Sequence, residues 1–137
     1  MKISLTVSED LISWSEPKTV LDLTASKINL YNCYVAFDGK RFVMAYECNA
    51  PDYPIFTLKF VESQDLYNWC EIKAAIYGAD KYIGGPSLYY MDDGYYYVTY
   101  VDQFVHPIDR KLNYQTLITR SKDLINWEDA PTGRPVL

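Results

Sequence analysis

The chain has 137 residues and a formal net charge of −5, and 16% of its residues are aromatic: 14 Tyr, 5 Phe and 3 Trp. One domain is the natural division at this length, and the acidic balance offers no basic stripe to neutralise phosphates, which argues against a nucleic-acid surface. No run approaches the roughly 18 apolar residues of a membrane helix, and nothing after Lys2 has the apolar stretch of a signal peptide, so the compartment stays open.

Taken in chain order, Lys2 to Val7 reads as an extended run. It is followed by Ser8-Glu9-Asp10-Leu11-Ile12-Ser13-Trp14 and a second run from Glu16 to Leu23. Tyr34 to Phe37 and Arg41 to Glu47 then flank Asp38-Gly39, a strong short hairpin signal because the turn needs positive φ. Phe56 to Glu62 is the next extended run, and it enters Ser63-Gln64-Asp65-Leu66-Tyr67-Asn68-Trp69. The order then repeats. Ser87 to Met91, a turn at Asp92-Asp93-Gly94, Tyr95 to Asp102 and Thr116 to Arg120 lead into Ser121-Lys122-Asp123-Leu124-Ile125-Asn126-Trp127.

The motif S-x-D-L-x-x-W thus occurs three times, at offsets of 55 and 58 residues. Its Asp is suited to accept backbone N–H bonds in the turn between a third and a fourth strand. Its Leu and Trp are suited to pack between neighbouring units. Helical periodicity is absent over any long window. Four antiparallel strands per unit make an all-β chain, read as a β-propeller fragment of about two and a half four-stranded blades. Residues 1–30 form the second half of a blade, 31–80 a complete blade, and 81–137 a complete blade ending near Pro135 with the link to the next. A closed propeller needs at least four blades, about 220 residues at this spacing. Further blades, or partners covering the edges, are therefore expected. Self-association through exposed blade edges is expected too, as a dimer less regular than a two-fold closed ring.

Cys33, Cys48 and Cys70 form an odd set without C-x-x-C spacing, and read as small buried hydrophobes rather than a zinc site. One His, no G-x-S-x-G and no Walker pattern leave no nucleophilic triad or phosphate loop. No metal or cofactor is implied. The tyrosines suit strand packing, and they also suit sugars, whose C–H faces lie against aromatic rings.

Several stretches resemble the five-bladed β-propeller glycoside hydrolases, nearest to family 43, the arabinanases and xylosidases, and related uncharacterised gut-bacterial proteins. They are Asp38-Gly39-Lys40-Arg41-Phe42 with Ala45-Tyr46-Glu47, then Gly84-Gly85-Pro86-Ser87-Leu88-Tyr89-Tyr90, Asp93-Gly94-Tyr95-Tyr96-Tyr97 and Thr119 to Glu128, with Arg134-Pro135-Val136-Leu137 resembling a link to a next blade. The resemblance implies an axial funnel, carboxylates from different blades acting as acid and base, and an oligosaccharide or glycan ligand. The family acid often stands in a Glu-Gly-Pro segment, and here Gly84 occupies the Glu position. An Asp before Pro, another family mark, is replaced by Gly85.

The remaining candidate catalytic pair is Glu47 and Asp102, read as equivalent because they lie 55 residues apart. As acid and base they would stand about 5–10 Å from each other. Asn32, at the start of an inner strand, is a candidate for a sugar hydroxyl, and Gln115, His106 and Arg110 are further candidate ligand contacts. Three readings follow: a glycoside hydrolase cleaving with paired carboxylates, a propeller that holds sugar without cleaving it, and a structural fragment of a larger glycosidase without activity of its own.

Overall fold

A computed structural model describes residues 1–26, 28–53 and 56–131. The link at Arg134–Leu137 and the expected end near Pro135 lie outside the described residues. Ten strands run in order: β1 (Lys2–Leu5), β2 (Lys18–Asp22), β3 (Asn29–Phe37), β4 (Phe42–Asn49), β5 (Thr57–Ser63), β6 (Cys70–Tyr77), β7 (Gly84–Tyr90), β8 (Tyr96–Val105), β9 (Leu112–Ser121) and β10 (Trp127–Asp129). Among the described residues the only helical turn is a 3-10 turn at Thr24–Ser26. The chain is all-β. β1 and β2 pair as a two-stranded sheet, β3-β4-β5-β6 form a second sheet and β7-β8-β9-β10 a third, and every pairing is antiparallel between consecutive strands.

β4 shows why the second sheet is central. Its sequence FVMAYECN is apolar on both faces, and the consecutive residues from Val43 to Cys48 are all buried. Val43 and Ala45 join Leu58, Phe60, Leu88, Val98, Tyr100 and Leu124 in a cluster between the second and third sheets. Met44, Tyr46 and Cys48 turn the other way, into a cluster with Leu30 and Val61 against which Ile3 and Leu21 of the first sheet pack. β8 differs. Tyr96, Val98 and Tyr100 are buried while the alternate residues Tyr97, Thr99 and Val101 are only half-buried, because one face of the third sheet meets the second and the other is open. β3 and β7, the first strands of their sheets, approach through Tyr34 and Tyr89, whose ring centroids are 5.7 Å apart.

The three S-x-D-L-x-x-W segments form the same turn. Ser63 Oγ accepts from the N–H of Asp65 and Leu66, and Asp65 Oδ1 accepts from Tyr67 and Asn68. The set recurs at Ser121 and Asp123 and at Ser8 and Asp10. The motif Leu is left-handed each time, with φ of 62° at Leu11, 68° at Leu66 and 65° at Leu124. That conformation is costly for a branched side chain, and the backbone bonds to Ser and Asp hold it. These bonds also keep the Asp65 and Asp123 carboxyls well below the usual carboxylate range, the N–H of Asn68 and of Asn126 contributing most. The turns join β1 to β2, β5 to β6 and β9 to β10, as expected. Gly39 and Gly94 take the positive φ that their hairpins need, 86° and 80°.

The cysteines are a correction. Only Cys48 is buried; Cys33 and Cys70 are exposed, and all three are free. Cys33 sits on β3, the first strand of its sheet, and Cys70 opens β6 beside the turn. Both are edge strands, covered on fewer sides than β4.

Candidate functional site

The topology sorts the residues to two ends. The S-x-D-L-x-x-W turns and the two Gly hairpins lie at one end of the second and third sheets. At the other end lie the starts of β3, β5, β7 and β9 and the finishes of β4, β6, β8 and β10. Every candidate residue from the sequence falls at this second end.

Glu47 is its centre. The side chain is 2% exposed, and a buried carboxylate requires hydrogen-bond partners. Asn32 Nδ2 donates to Glu47 Oε2 at 3.0 Å, and the Gly85 N–H donates to the same oxygen at 3.0 Å. Both donors come from irregular stretches of a first strand. The β3–β4 register shifts between Leu30 and Cys33, and the β7–β8 register between Gly84 and Ser87. Such bulges re-aim side chains and amides. Here one bulge of the second sheet and one of the third converge on a single carboxylate. Gly85 has φ of 54°, which suits glycine.

A row of rings runs past the two strand starts that supply these donors. Tyr31 meets Phe56 edge to face at 4.8 Å, and Phe56 meets Tyr82 at 5.2 Å. Tyr31 is exposed, and Phe56 and Tyr82 are half-buried. Phe56 itself is left-handed, with φ of 67°. Strain of this kind in a bulky residue clusters at binding sites. Burial, then the nearby Tyr114 and Glu47, push the Tyr82 hydroxyl upward in pKa. A Cβ on Gly84 would lie 2.8 Å from the Tyr82 ring, so a Glu there would displace that ring.

Asp102 is placed differently from Glu47. Glu47 pairs with Leu58, five residues before Ser63, and Asp102 pairs with Gln115, six before Ser121. By register, Asp102 corresponds to Cys48, so the expected equivalence does not hold. In a strand one residue reverses the face. Glu47 shares the face of Val43 and Ala45, toward the third sheet. Asp102 shares the face of Val98 and Tyr100, toward the second. The two carboxylates therefore belong to facing surfaces of one inter-sheet space. Each has its own partner, Asp102 Oδ2 accepting from Gln115 Nε2 at 3.1 Å.

Asp102 and Gln115 line a cavity of about 220 Å³ with Lys81, Tyr100 and Asp129. Lys81 Nζ is 2.6 Å from Asp129 Oδ2. The Tyr77 hydroxyl donates to Asp129 Oδ1 and shares a second hydrogen bond, of 2.9 Å, with the Tyr100 hydroxyl. Burial opposes charge on Asp129, but the bonds from Lys81 and Tyr77 outweigh it and hold the carboxyl below its usual range. Burial and the Asp129 bond push the Tyr77 hydroxyl far upward. The sequence reading did not name Lys81, Tyr77, Tyr100 or Asp129. Nor did it name Tyr31, Phe56 and Tyr82, although Gly-Gly-Pro at a strand start is a bulge signal that pointed to Tyr82 beside it.

His106 and Arg110 form a turn of their own. The His106 N–H donates to Lys111 O at 2.8 Å and the Arg110 N–H to His106 O at 3.1 Å. His106 Nδ1 lies 3.1 Å from Asp109 Oδ1, near enough for an ion pair when the ring is protonated but not aligned as a hydrogen bond. Among the described residues no hydrogen bond joins this turn to Glu47 or Asp102. The structure thus brings Asn32 to Glu47 and Gln115 to Asp102, and leaves His106 and Arg110 on a neighbouring loop. Among the described residues no group of three or more His, Cys, Asp or Glu side chains is arranged to hold a metal ion. Compared with known proteins, the chain matches no family model and no curated sequence.

Proposed function

We propose that the chain is part of a carbohydrate-active β-propeller of the glycoside hydrolase kind, its sheets serving as blades and the Glu47 end contacting an oligosaccharide. The observation that carries this reading is the buried Glu47 carboxylate, held by Asn32 and the Gly85 N–H, with Tyr82 near enough to feel its charge and Phe56 and Tyr31 packed in turn beyond Tyr82. A carboxylate among aromatic rings offers a hydroxyl acceptor and stacking faces together, the combination that sugars need. Glu47 also lies against the Gly84-Gly85-Pro86 segment, where the resembled family carries its acid. In hydrolysis Glu47 and Asp102 act as the carboxylate pair, one protonating the leaving oxygen and the other serving as base or nucleophile.

A second reading, sugar binding without cleavage, is favoured by Gly84 at the family's Glu position and by the separate partners of Glu47 and Asp102. Incubation with a panel of arabinans, xylans and host glycans, read by new reducing ends and by calorimetry, separates the two. Under the first reading Glu47→Gln and Asp102→Asn each lower turnover by about a hundredfold or more. Under the second no glycan is cleaved and Glu47→Gln weakens affinity. Neither cleavage nor binding across the panel would refute both.

A further inference from the structure

The three motif tryptophans have unequal surroundings. Trp127, from the third sheet, stacks on Phe60 at 5.4 Å and lies 4.9 Å from the Tyr77 ring, both in the second sheet. Trp69, from the second sheet, packs against the same cluster as Ile3 and Leu21 of the first. Each tryptophan therefore faces the sheet preceding its own. Trp14 makes the same turn in the first sheet, but among the described residues no sheet precedes it. It is 56% exposed, and Leu11 and Ile12 beside it are 78% and 84% exposed.

The complementary surface is present on the same chain. Phe60, which receives Trp127, lies three residues before its motif serine. Ile118 lies three before Ser121 and stands at the same place on the third sheet. Its surroundings form a cleft of about 240 Å³, which Ala130 and Pro131 also line. Among the described residues the chain thus carries one unfilled tryptophan side and one unfilled receiving side of an interface that it builds twice internally.

We propose that the chain associates head to tail with a second copy, the Leu11–Trp14 turn of one copy docking on the Ile118 face of the next. The occupant is a second copy because the receiving face on the chain corresponds in register to the faces already used between its own sheets. The contact is heterologous, two different patches meeting, and so extends into a ring or an open chain of copies. It does not depend on the sugar reading.

Sedimentation velocity over a wide range of concentration tests it. Wild-type chain is expected to associate as concentration rises. Trp14→Ala, which changes an exposed residue, is expected to weaken association about tenfold or more, with an unchanged circular dichroism spectrum. Ile118→Arg, or Ala130→Arg as a second block of the same cleft, is expected to do likewise. A mixture of Trp14→Ala chain with either cleft variant keeps one intact turn and one intact cleft, so it forms a 1:1 heterodimer that neither variant forms alone. Wild-type chain that stays monomeric, association untouched by Trp14→Ala, or a mixture without heterodimer would each overturn the proposal.

Discussion

The two ends of the second and third sheets are built on different principles. At the turn end the polar groups of the repeated motif are answered locally: Ser121 and Asp123 take the N–H groups of residues two and three positions away. At the other end the decisive bonds are long-range. The Gly85 N–H reaches Glu47 across 38 residues and across two sheets. Tyr77 reaches Asp129 across 52. Turns satisfied by their own residues fix the sheets without needing neighbours, as the Ser8–Trp14 turn demonstrates by keeping its form while exposed. An end whose carboxylates depend on two sheets meeting can present a preorganised site, but only once those sheets are docked.

The largest expected effects come from removing the packing that docks them. Trp69→Ala and Trp127→Ala should each cost about 3–5 kcal/mol, and Trp14→Ala within about 0.5 kcal/mol. Urea unfolding of the three variants checks this; an equal loss for Trp14→Ala would show that the motif tryptophan matters within its turn rather than between sheets. Next is Glu47→Ala, which removes a buried carboxylate that accepts two hydrogen bonds and should cost about 1–3 kcal/mol. The isosteric Glu47→Gln should cost less. A Glu47→Ala chain as stable as wild type would mean that the two donors find other partners.

The smallest expected effect lies at the turn end. The Asp123 carboxyl is depressed in the folded chain, so its contribution is fully present above the ordinary carboxylate value, near pH 4. It fades as pH falls through the folded value. Asp123→Asn should therefore lower the melting temperature at neutral pH, and the gap to wild type should narrow in acid. A gap that widens as pH falls would contradict this.

Local chemistry was legible in the sequence. The Ser, Asp, Leu and Trp of each motif occur within seven residues, and the strands between motifs followed from extended runs and from Asp-Gly turns. The site was legible in part. Asn32 and Glu47 could be named, but the Gly85 N–H could not, because a backbone amide has no sequence signature of its own. The parity of Glu47 and Asp102 failed for a definite reason. Phe42 and Tyr96, which pair with the motif serines, are 54 residues apart and the serines are 58 apart. A spacing of 55 is therefore one residue out of register along the second strands, and one residue changes the face. The cysteines failed on burial, since the outward positions of edge strands look like core positions in a composition count.

On the proposed reading, ligand contact belongs to the Glu47 end and not to the turn end. Amide-resolved NMR of the chain titrated with arabino- and xylo-oligosaccharides tests it most directly. The Gly85 amide and the Asn32 side-chain amide are expected to shift with saturation, while the Leu66 and Leu124 turn amides stay in place. Saturable shifts at Leu66 and Leu124 with Gly85 unmoved would contradict it.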